Sequence, residues 1–273
     1  MSDVSVVIPT WNRAAMLERA VRSALNQTLP PLEILVCDDG SSDDSRAVIE
    51  AMGESRVRWI DGPRAGRPAI PRNRGIRESR GEWIAFLDDD DEWRPEKLER
   101  QLALAKQLEC FAICTNAARN VPGQVTSGAY LNWQCDRITF GDLLDVNHVV
   151  CSSAMVHQSL FENAHGFPED AQLRVGEDFA LWLRIASMTD FAFVADQLVV
   201  YRDDPANSIR RGAVDSWRQR KAVFASFLLW SDEATGRQHH AITVRRRIVR
   251  DRLAMFAVTL RAPFQRVIRA FFG

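Results

Sequence analysis

Trp83-Ile84-Ala85-Phe86-Leu87-Asp88-Asp89-Asp90-Asp91 decides how this chain folds. The apolar run reads as a buried strand, and four aspartates follow where that strand leaves the core. Like charges side by side repel one another, so a fold that gathers them there needs positive charge beside them. A hard divalent cation bridging to phosphate oxygens supplies it. The stretch predicts metal-dependent chemistry on a phosphorylated substrate.

Upstream, β-rich and helical segments alternate. Val4–Ile8 reads as a strand and ends at Thr10-Trp11-Asn12-Arg13. Ala14–Gln27 places Met16, Leu17, Ala20, Val21, Ala24 and Leu25 on one helical stripe. Ile34–Cys37 is a second strand, closed by Asp38-Asp39-Gly40, and Val57–Ile60 a third, with a helix over Asp43–Met52 between them. A Gly/Pro/Arg-rich loop over Asp61–Pro71 leads to a helix at Arg72–Ser79. Pro95 opens a helix through Leu108, and Phe111–Thr115 is a further strand. This alternation predicts an α/β fold with a doubly wound, mostly parallel sheet. Such sheets bind ligands beyond the strands' carboxyl ends. Three polar clusters fall in that position.

Residues 116–176 are less regular. They hold a strand at Cys151–Val156, a helix at Gln158–Ala164 and the turn Gly166-Phe167-Pro168. Asp178–Ala186 is helical, Phe191–Val194 and Leu198–Tyr201 read as a strand pair, and the chain is helical from Val214 with breaks near 231–236 and at Pro263.

The chain of 273 residues is 46% hydrophobic, enough for a sizeable core. Its five cysteines are odd in number and form no Cys-x-x-Cys pair, which reads as reduced thiols of a cytosolic protein. No signal peptide and no membrane-spanning run are expected. The net charge of −1 is unevenly spread: residues 237–273 carry nine arginines against one aspartate, or +8, leaving −9 on the rest. A basic tail on an acidic body suits an anionic partner.

Together these residues resemble the family-2 glycosyltransferases, over roughly residues 3–205. The resemblance lies in Val6-Val7-Ile8-Pro9-Thr10-Trp11-Asn12-Arg13, Glu33-Ile34-Leu35-Val36-Cys37-Asp38-Asp39-Gly40-Ser41, Arg72-Asn73-Arg74-Gly75, Gly81 through Asp91, and Gly176-Glu177-Asp178-Phe179-Ala180-Leu181-Trp182. It implies a GT-A fold with a C-terminal helical extension. Residues 1–210 form the transferase domain, divided into a nucleotide-sugar-binding half, 1–115, and an acceptor half, 116–210; residues 211–273 form the basic helical extension. It also implies transfer of a sugar from a nucleotide diphosphate donor, with inversion at the anomeric carbon.

The resemblance assigns roles residue by residue. Asp39 matches the position that binds the donor's base. A carboxylate accepting from a ring N–H suits uracil, though Asp38 and Asp39 also suit a plain turn with Gly40. Pro9, Thr10 and Arg13 lie beside this pocket, and Arg72 contacts phosphate or base unless it faces solvent. Asp88-x-Asp90 aligns with the family's Asp-x-Asp element. Residues two apart point the same way on an extended chain. Asp90 is the expected metal ligand, for Mn²⁺ or Mg²⁺. Asp88 is expected to touch ribose or metal; Asp89 falls in the same donor-contacting set, though Asp89 and Asp91 also suit a role in shaping the loop. A calcium loop is excluded because Trp93 stands where that loop needs glycine. Asp178 matches the catalytic base, with Glu177 as its alternate and a helix cap as the competing role. The Gln-x-x-Arg-Trp motif of processive synthases is absent, which implies transfer of a single sugar.

The tail carries two amphipathic stripes, Val249, Leu253, Phe256, Leu260 and Phe264, Val267, Ile268, Phe271, among arginines. These suit peripheral attachment to anionic lipid, or packing on the body or on a partner. Nucleic acid is not expected. The sequence thus reads as a UDP-sugar-dependent transferase acting on a glycan or lipid-linked acceptor in bacterial surface polysaccharide synthesis. Its expected location is the cytoplasm, either free or peripheral on the membrane's inner face. Two readings compete: a sugar nucleotidyltransferase, which should carry a glycine-rich loop after the first strand, and a non-catalytic nucleotide-sugar-binding protein.

Overall fold

A computed structural model describes residues 2–121, 128–173, 175–204, 216–233 and 238–253. The tail stripes from Phe256 onward lie outside these residues. The strands are β1 (Val4–Thr10), β2 (Glu33–Asp38), β3 (Val57–Ile60), β4 (Trp83–Phe86), β5 (Glu92–Trp93), β6 (Ala112–Asn120), β7 (Arg137–Ile138), β8 (Met155–His157) and β9 (Phe191–Arg202). The helices are α1 (Ala14–Leu25), α2 (Ser45–Glu50), α3 (Ala69–Glu78), α4 (Lys97–Leu108), α5 (Phe140–Asp145), α6 (Ser159–Ala164), α7 (Glu177–Ala186) and α8 (Ser216–Asp232). A further helix runs over 238–253.

The nine strands form one sheet in the order β3-β2-β1-β4-β8-β6-β9-β5, with β7 beside β9. The parallel pairings β1–β2, β1–β4, β2–β3 and β6–β9 carry most of the ladder. Strands β5, β7 and β8 run against the rest. The sheet is the expected mixed, mostly parallel one. The ends of β1, β2, β4, β6 and β9 therefore meet along one edge.

Both faces of the sheet are covered, which is why its central strands are apolar throughout. On one face Val7, Leu35, Cys37, Ile84 and Phe86 pack with residues of α3, α5, α6, α7 and α8. On the other, Val4, Val6, Ile8, Ile34, Val36 and Leu87 pack with α1, α2 and α4. Phe86 sits at the centre of an aromatic group, 5.1 Å from Phe167 and 6.0 Å from Trp182 between ring centroids. Gly75 lets α3 lie directly on the sheet: a Cβ there would come within 2.5 Å of Val7 Cγ1.

Three segments differ from the sequence reading. The expected pair Phe191–Val194 and Leu198–Tyr201 is one strand, β9. Its polar middle, Ala195–Gln197, is exposed, and the ladder to β6 shifts register between Thr115 and Ala117. A bulge absorbs these residues without ending the strand. The first half of the expected strand Cys151–Val156 is a 3-10 turn, Cys151–Ser153. Helix α3 begins three residues before Arg72, at Ala69. Helix α8 buries Val223, Phe224, Phe227 and Trp230 in the same core as α7.

Candidate active site

The site lies at the carboxyl edge of the sheet and starts from the hydrogen bond between Asp39 N and Thr10 O, 2.9 Å, which joins the ends of β1 and β2. Asp38 turns inward and accepts from Gly40 N at 3.0 Å and Ser41 N, forming the turn that the sequence allowed. Asn12 adopts a positive φ of 51° and accepts from Ser42 N at 2.7 Å, fastening the loop after β1 to the loop after β2. Pro9 lies within β1 beside Cys37.

The buried Asp39 carboxylate gathers a third loop. It accepts from Ala65 N at 2.8 Å and Gly66 N at 2.9 Å and pairs with Arg64. The Arg64 guanidinium lies 3.7 Å over the ring of Trp11, which is 43% exposed. Trp11 and Arg64 were not among the residues singled out from the sequence. The aromatic after Thr10 was visible there, but its cationic partner comes from the loop Asp61–Pro71, which carries no periodic signal.

The four aspartates alternate in environment. Asp88 and Asp90 keep side-chain exposures of 29% and 25%. Asp89 and Asp91 are buried. Asp89 accepts from Thr10 Oγ1 at 2.9 Å and from Arg13 at 2.9 Å, so both its oxygens are engaged within the protein. Burial pushes its pKa up to about 6 against the pull of Arg13. Arg13 also reaches Asp90 at 2.7 Å. Asp90 is raised by burial and by the charge on Asp88. Asp91 is raised well above the ordinary range by burial and by Asp90; it accepts from Ser152 Oγ and, at 2.7 Å, from Arg202 N. Ser152 Oγ also receives Asp88 N at 3.0 Å.

Arg72 joins this loop to α7. Its guanidinium donates to Asp88 Oδ1 at 2.6 Å and to Glu177 Oε1 at 2.7 Å. It is buried, with Nε lacking a partner, and lies 5.2 Å over Phe167. Burial opposes its charge, and Asp88 and Glu177 more than offset that. Next along, Asn73 holds the 167–169 turn through Phe167 O and Glu169.

Helix α7 starts at Gly176, whose φ of 99° suits glycine. Glu177 and Asp178 fill its first turn, where the helix dipole favours negative charge. Asp178 is half-buried and accepts from Phe179 N at 2.7 Å. Glu177 is buried, and burial together with the charge on Asp178 pushes its pKa to about 7. The Cys151 thiol sits among Arg72, Asp88, Asp178 and Glu177 and is kept protonated mainly by burial. The structure thus brings Asp88, Arg72, Glu177 and Asp178 around one point, and Thr10, Arg13, Asp89 and Asp90 around a neighbouring one. Asp39 lies beyond Thr10. A cleft of about 920 Å³ between α3 and α6 shares Asn73 and Phe167 with this region but none of its aspartates.

The raised Glu177 pKa makes a stability prediction. Between about pH 4.5 and 7 the folded chain holds a proton there that the unfolded chain has released, so stability falls as pH rises through that window. Across it, the melting temperature of the wild type should fall relative to that of Glu177→Gln. Parallel curves for the two proteins would rule the assignment out.

The partly exposed carboxylates of Asp88 and Asp90 suit a hard cation, since Mg²⁺ is commonly held by one or two carboxylates plus substrate phosphates. Among the described residues no three His, Cys, Asp or Glu side chains gather as a metal site. The remaining ligands would therefore come from substrate and water.

Comparison with known proteins identifies the family and the fold. The family model "Glycosyl transferase family 2" matches residues 5–164. The chain is 30% identical over 187 residues to an Escherichia coli UDP-Glc:alpha-D-GlcNAc-diphosphoundecaprenol beta-1,3-glucosyltransferase, covering 68% of this chain and 71% of that one. It is 32% identical over 199 residues to an uncharacterized glycosyltransferase of Rickettsia felis, covering 72% of this chain and 32% of that longer protein. The crystal structure of S. aureus TarS 1-349 in complex with UDP-GlcNAc superposes with a TM-score of 0.72 at 17% identity, over 89% of this chain and 70% of that one. With its acidic motifs at the strand ends and its fold matched independently, the chain belongs to glycosyl transferase family 2.

Proposed function

We propose that this protein is an inverting glycosyltransferase that moves one sugar from a UDP-sugar to a lipid-linked saccharide during bacterial surface polysaccharide assembly. The observation that carries the reading is the Asp88–Arg72–Glu177 linkage, which sets the acidic loop against the first turn of α7. The E. coli relative's name specifies UDP-Glc and a diphosphoundecaprenol acceptor. A Campylobacter jejuni relative, 28% identical over 223 residues, is named as a beta-1,3-glucosyltransferase acting on a PP-undecaprenol saccharide.

In this reading Asp39, with Pro9 and Thr10 at the end of β1 beside it, forms the base side of the donor pocket, and Arg13, held by Asp89 and Asp90, lies next along. Asp178 takes the proton from the acceptor hydroxyl. The hydroxyl oxygen bonds to the anomeric carbon as the bond to the diphosphate breaks on the opposite face, and UDP leaves. Asp88 and Asp90 would hold Mn²⁺ or Mg²⁺, which neutralises charge on a departing diphosphate. Arg72 positions Asp88 and α7 relative to one another. A glycine-free loop, Thr10-Trp11-Asn12-Arg13, speaks against the nucleotidyltransferase reading.

The test is UDP release across a panel of UDP-sugars with GlcNAc-diphosphoundecaprenol, with Mn²⁺ and with EDTA. Metal-dependent release and a new glycolipid are expected. Neither transfer nor slow hydrolysis with any donor would refute the enzyme reading.

Peripheral membrane contact belongs to the same proposal, as does a cytoplasmic location on the inner face. No helix among the described residues is long and apolar enough to cross a membrane. The helix over 238–253 buries Ala241 and Val244 but exposes Ile242, Val249 and Leu253, one stripe with Arg246 within it. An anionic lipid surface fits an apolar stripe bordered by arginine. Flotation with anionic liposomes should carry the full chain up and leave a chain lacking residues 237–273 behind; equal partitioning would end the membrane proposal.

A further inference from the structure

The rings of Trp133 and His148 are in tilted contact, with centroids 4.6 Å apart and an interplanar angle of 42°, and Trp133 also packs on the edge of the core. Both are half-buried, unlike the aromatics of the central group around Phe86. Each ring is held from its own side. The Trp133 indole N–H donates to Arg137 O at 3.0 Å. Leu131, two residues earlier, is fixed to β6 by the side-chain amide of Asn116, whose nitrogen donates to Leu131 O at 2.8 Å and whose oxygen accepts from Leu131 N at 3.0 Å. On the other side Arg247 binds Asp145, three residues before His148. The Asn147 side chain accepts from Val149 N at 3.1 Å. Burial lowers the His148 pKa, with Asp142 and Asp145 opposing, which favours the neutral ring.

A short stretch of chain ties His148 to the groups around Asp88. His148 precedes Cys151 by three residues, a reach of about 10 Å along an extended chain. The Cys151 thiol lies in the field of Asp88 and Asp178, and the next residue, Ser152, bonds to Asp88 N and Asp91. Exposed Asn132 and Gln134 border Trp133 in sequence and are bonded to one another at 3.1 Å. A rigid, half-exposed aromatic surface with amides beside it matches a pyranose, which has one apolar C–H face and a rim of hydroxyls.

We propose that the Trp133–His148 pair is the acceptor subsite, stacking on the apolar face of the pyranose that carries the reacting hydroxyl. This rests on the transferase reading for its role, but sugar binding at the pair is measurable without turnover. The pair is held before any ligand arrives, so little ordering entropy is lost on binding.

Saturation-transfer NMR with N-acetylglucosamine 1-diphosphate tests binding directly. The wild type and Asp178→Asn should both transfer saturation to ring protons on one sugar face. Trp133→Ala should lose this signal, and Trp133→Phe, which keeps a ring, should retain most of it. In the transfer assay with GlcNAc-diphosphoundecaprenol, Trp133→Ala should raise the acceptor KM about tenfold while leaving the UDP-sugar KM unchanged. Absence of saturation in the wild type, an unaltered signal in Trp133→Ala, or a signal lost equally in Trp133→Phe would overturn the proposal. A wild type that shows Trp133-dependent saturation yet transfers no sugar would overturn the transferase reading and leave the subsite standing.

Discussion

Arg72→Ala should destabilise the fold by about 3–5 kcal/mol, the range for breaking a buried ion pair. The variant leaves Glu177 buried at 5% exposure without its cation, and Asp88 beside Asp90 without a counter-charge. Lost packing on Phe167 adds to this. Arg72→Lys should fall between the two, because an ammonium cannot reach two carboxylates in the fork geometry of a guanidinium. Adding Glu177→Gln should return part of the loss, since a neutral amide removes the uncompensated charge. Urea denaturation of the three variants gives the measurement. If Arg72 were a solvent-facing donor ligand, Arg72→Ala would change stability by about 1 kcal/mol or less and act only on donor affinity. That pattern would refute the internal linkage.

Asp178→Asn should lower the transfer rate about 10²–10⁴-fold while UDP affinity stays near that of the wild type. The amide is nearly the same shape and still fits the first turn of α7, so the fold is kept. It cannot take a proton, and it removes one of the charges that raise the Glu177 pKa. Single-turnover transfer and UDP titration separate the two effects. Glu177→Gln gives the contrast. Glu177 is buried against Arg72, so its loss should act more on stability and geometry than on the proton transfer itself. If Asp178→Asn retained full activity and Glu177→Gln did not, the base would be Glu177. A non-catalytic binding protein would show UDP binding in every variant and turnover in none.

Much of this site was legible in the sequence because strand ends are. A short apolar run followed by polar residues marks both the strand and its exit: β2 and β4 give way to aspartates, and β1 to Thr10-Trp11-Asn12-Arg13. The separation of Asp88 and Asp90 from Asp89 and Asp91 does not come from an extended chain, as the sequence suggested: the four residues form a turn beyond β4, closed by Asp91 N on Asp88 O at 3.1 Å. What the sequence could not show is the identity of each partner. Arg72 meets Glu177 across 105 residues, and Arg13 meets Asp89 across 76. Such pairings are set by helix placement over the sheet, which local pattern does not encode. The split reading of β9 failed for a related reason. Its polar middle looks like a turn, but the long ladder to β6 outweighs that local preference.

Asp91 gives the acidic loop a mechanical character. One buried carboxylate is tied to Ser152 in the 3-10 turn before β8 and to the backbone of Arg202 at the end of β9. Ser152 in turn grips the backbone of Asp88. These bonds triangulate the loop between strands that are far apart in sequence. A triangulated bracket does not swing. Asp88 and Asp90 therefore present their oxygens as a fixed jig, and a substrate must come to them in register.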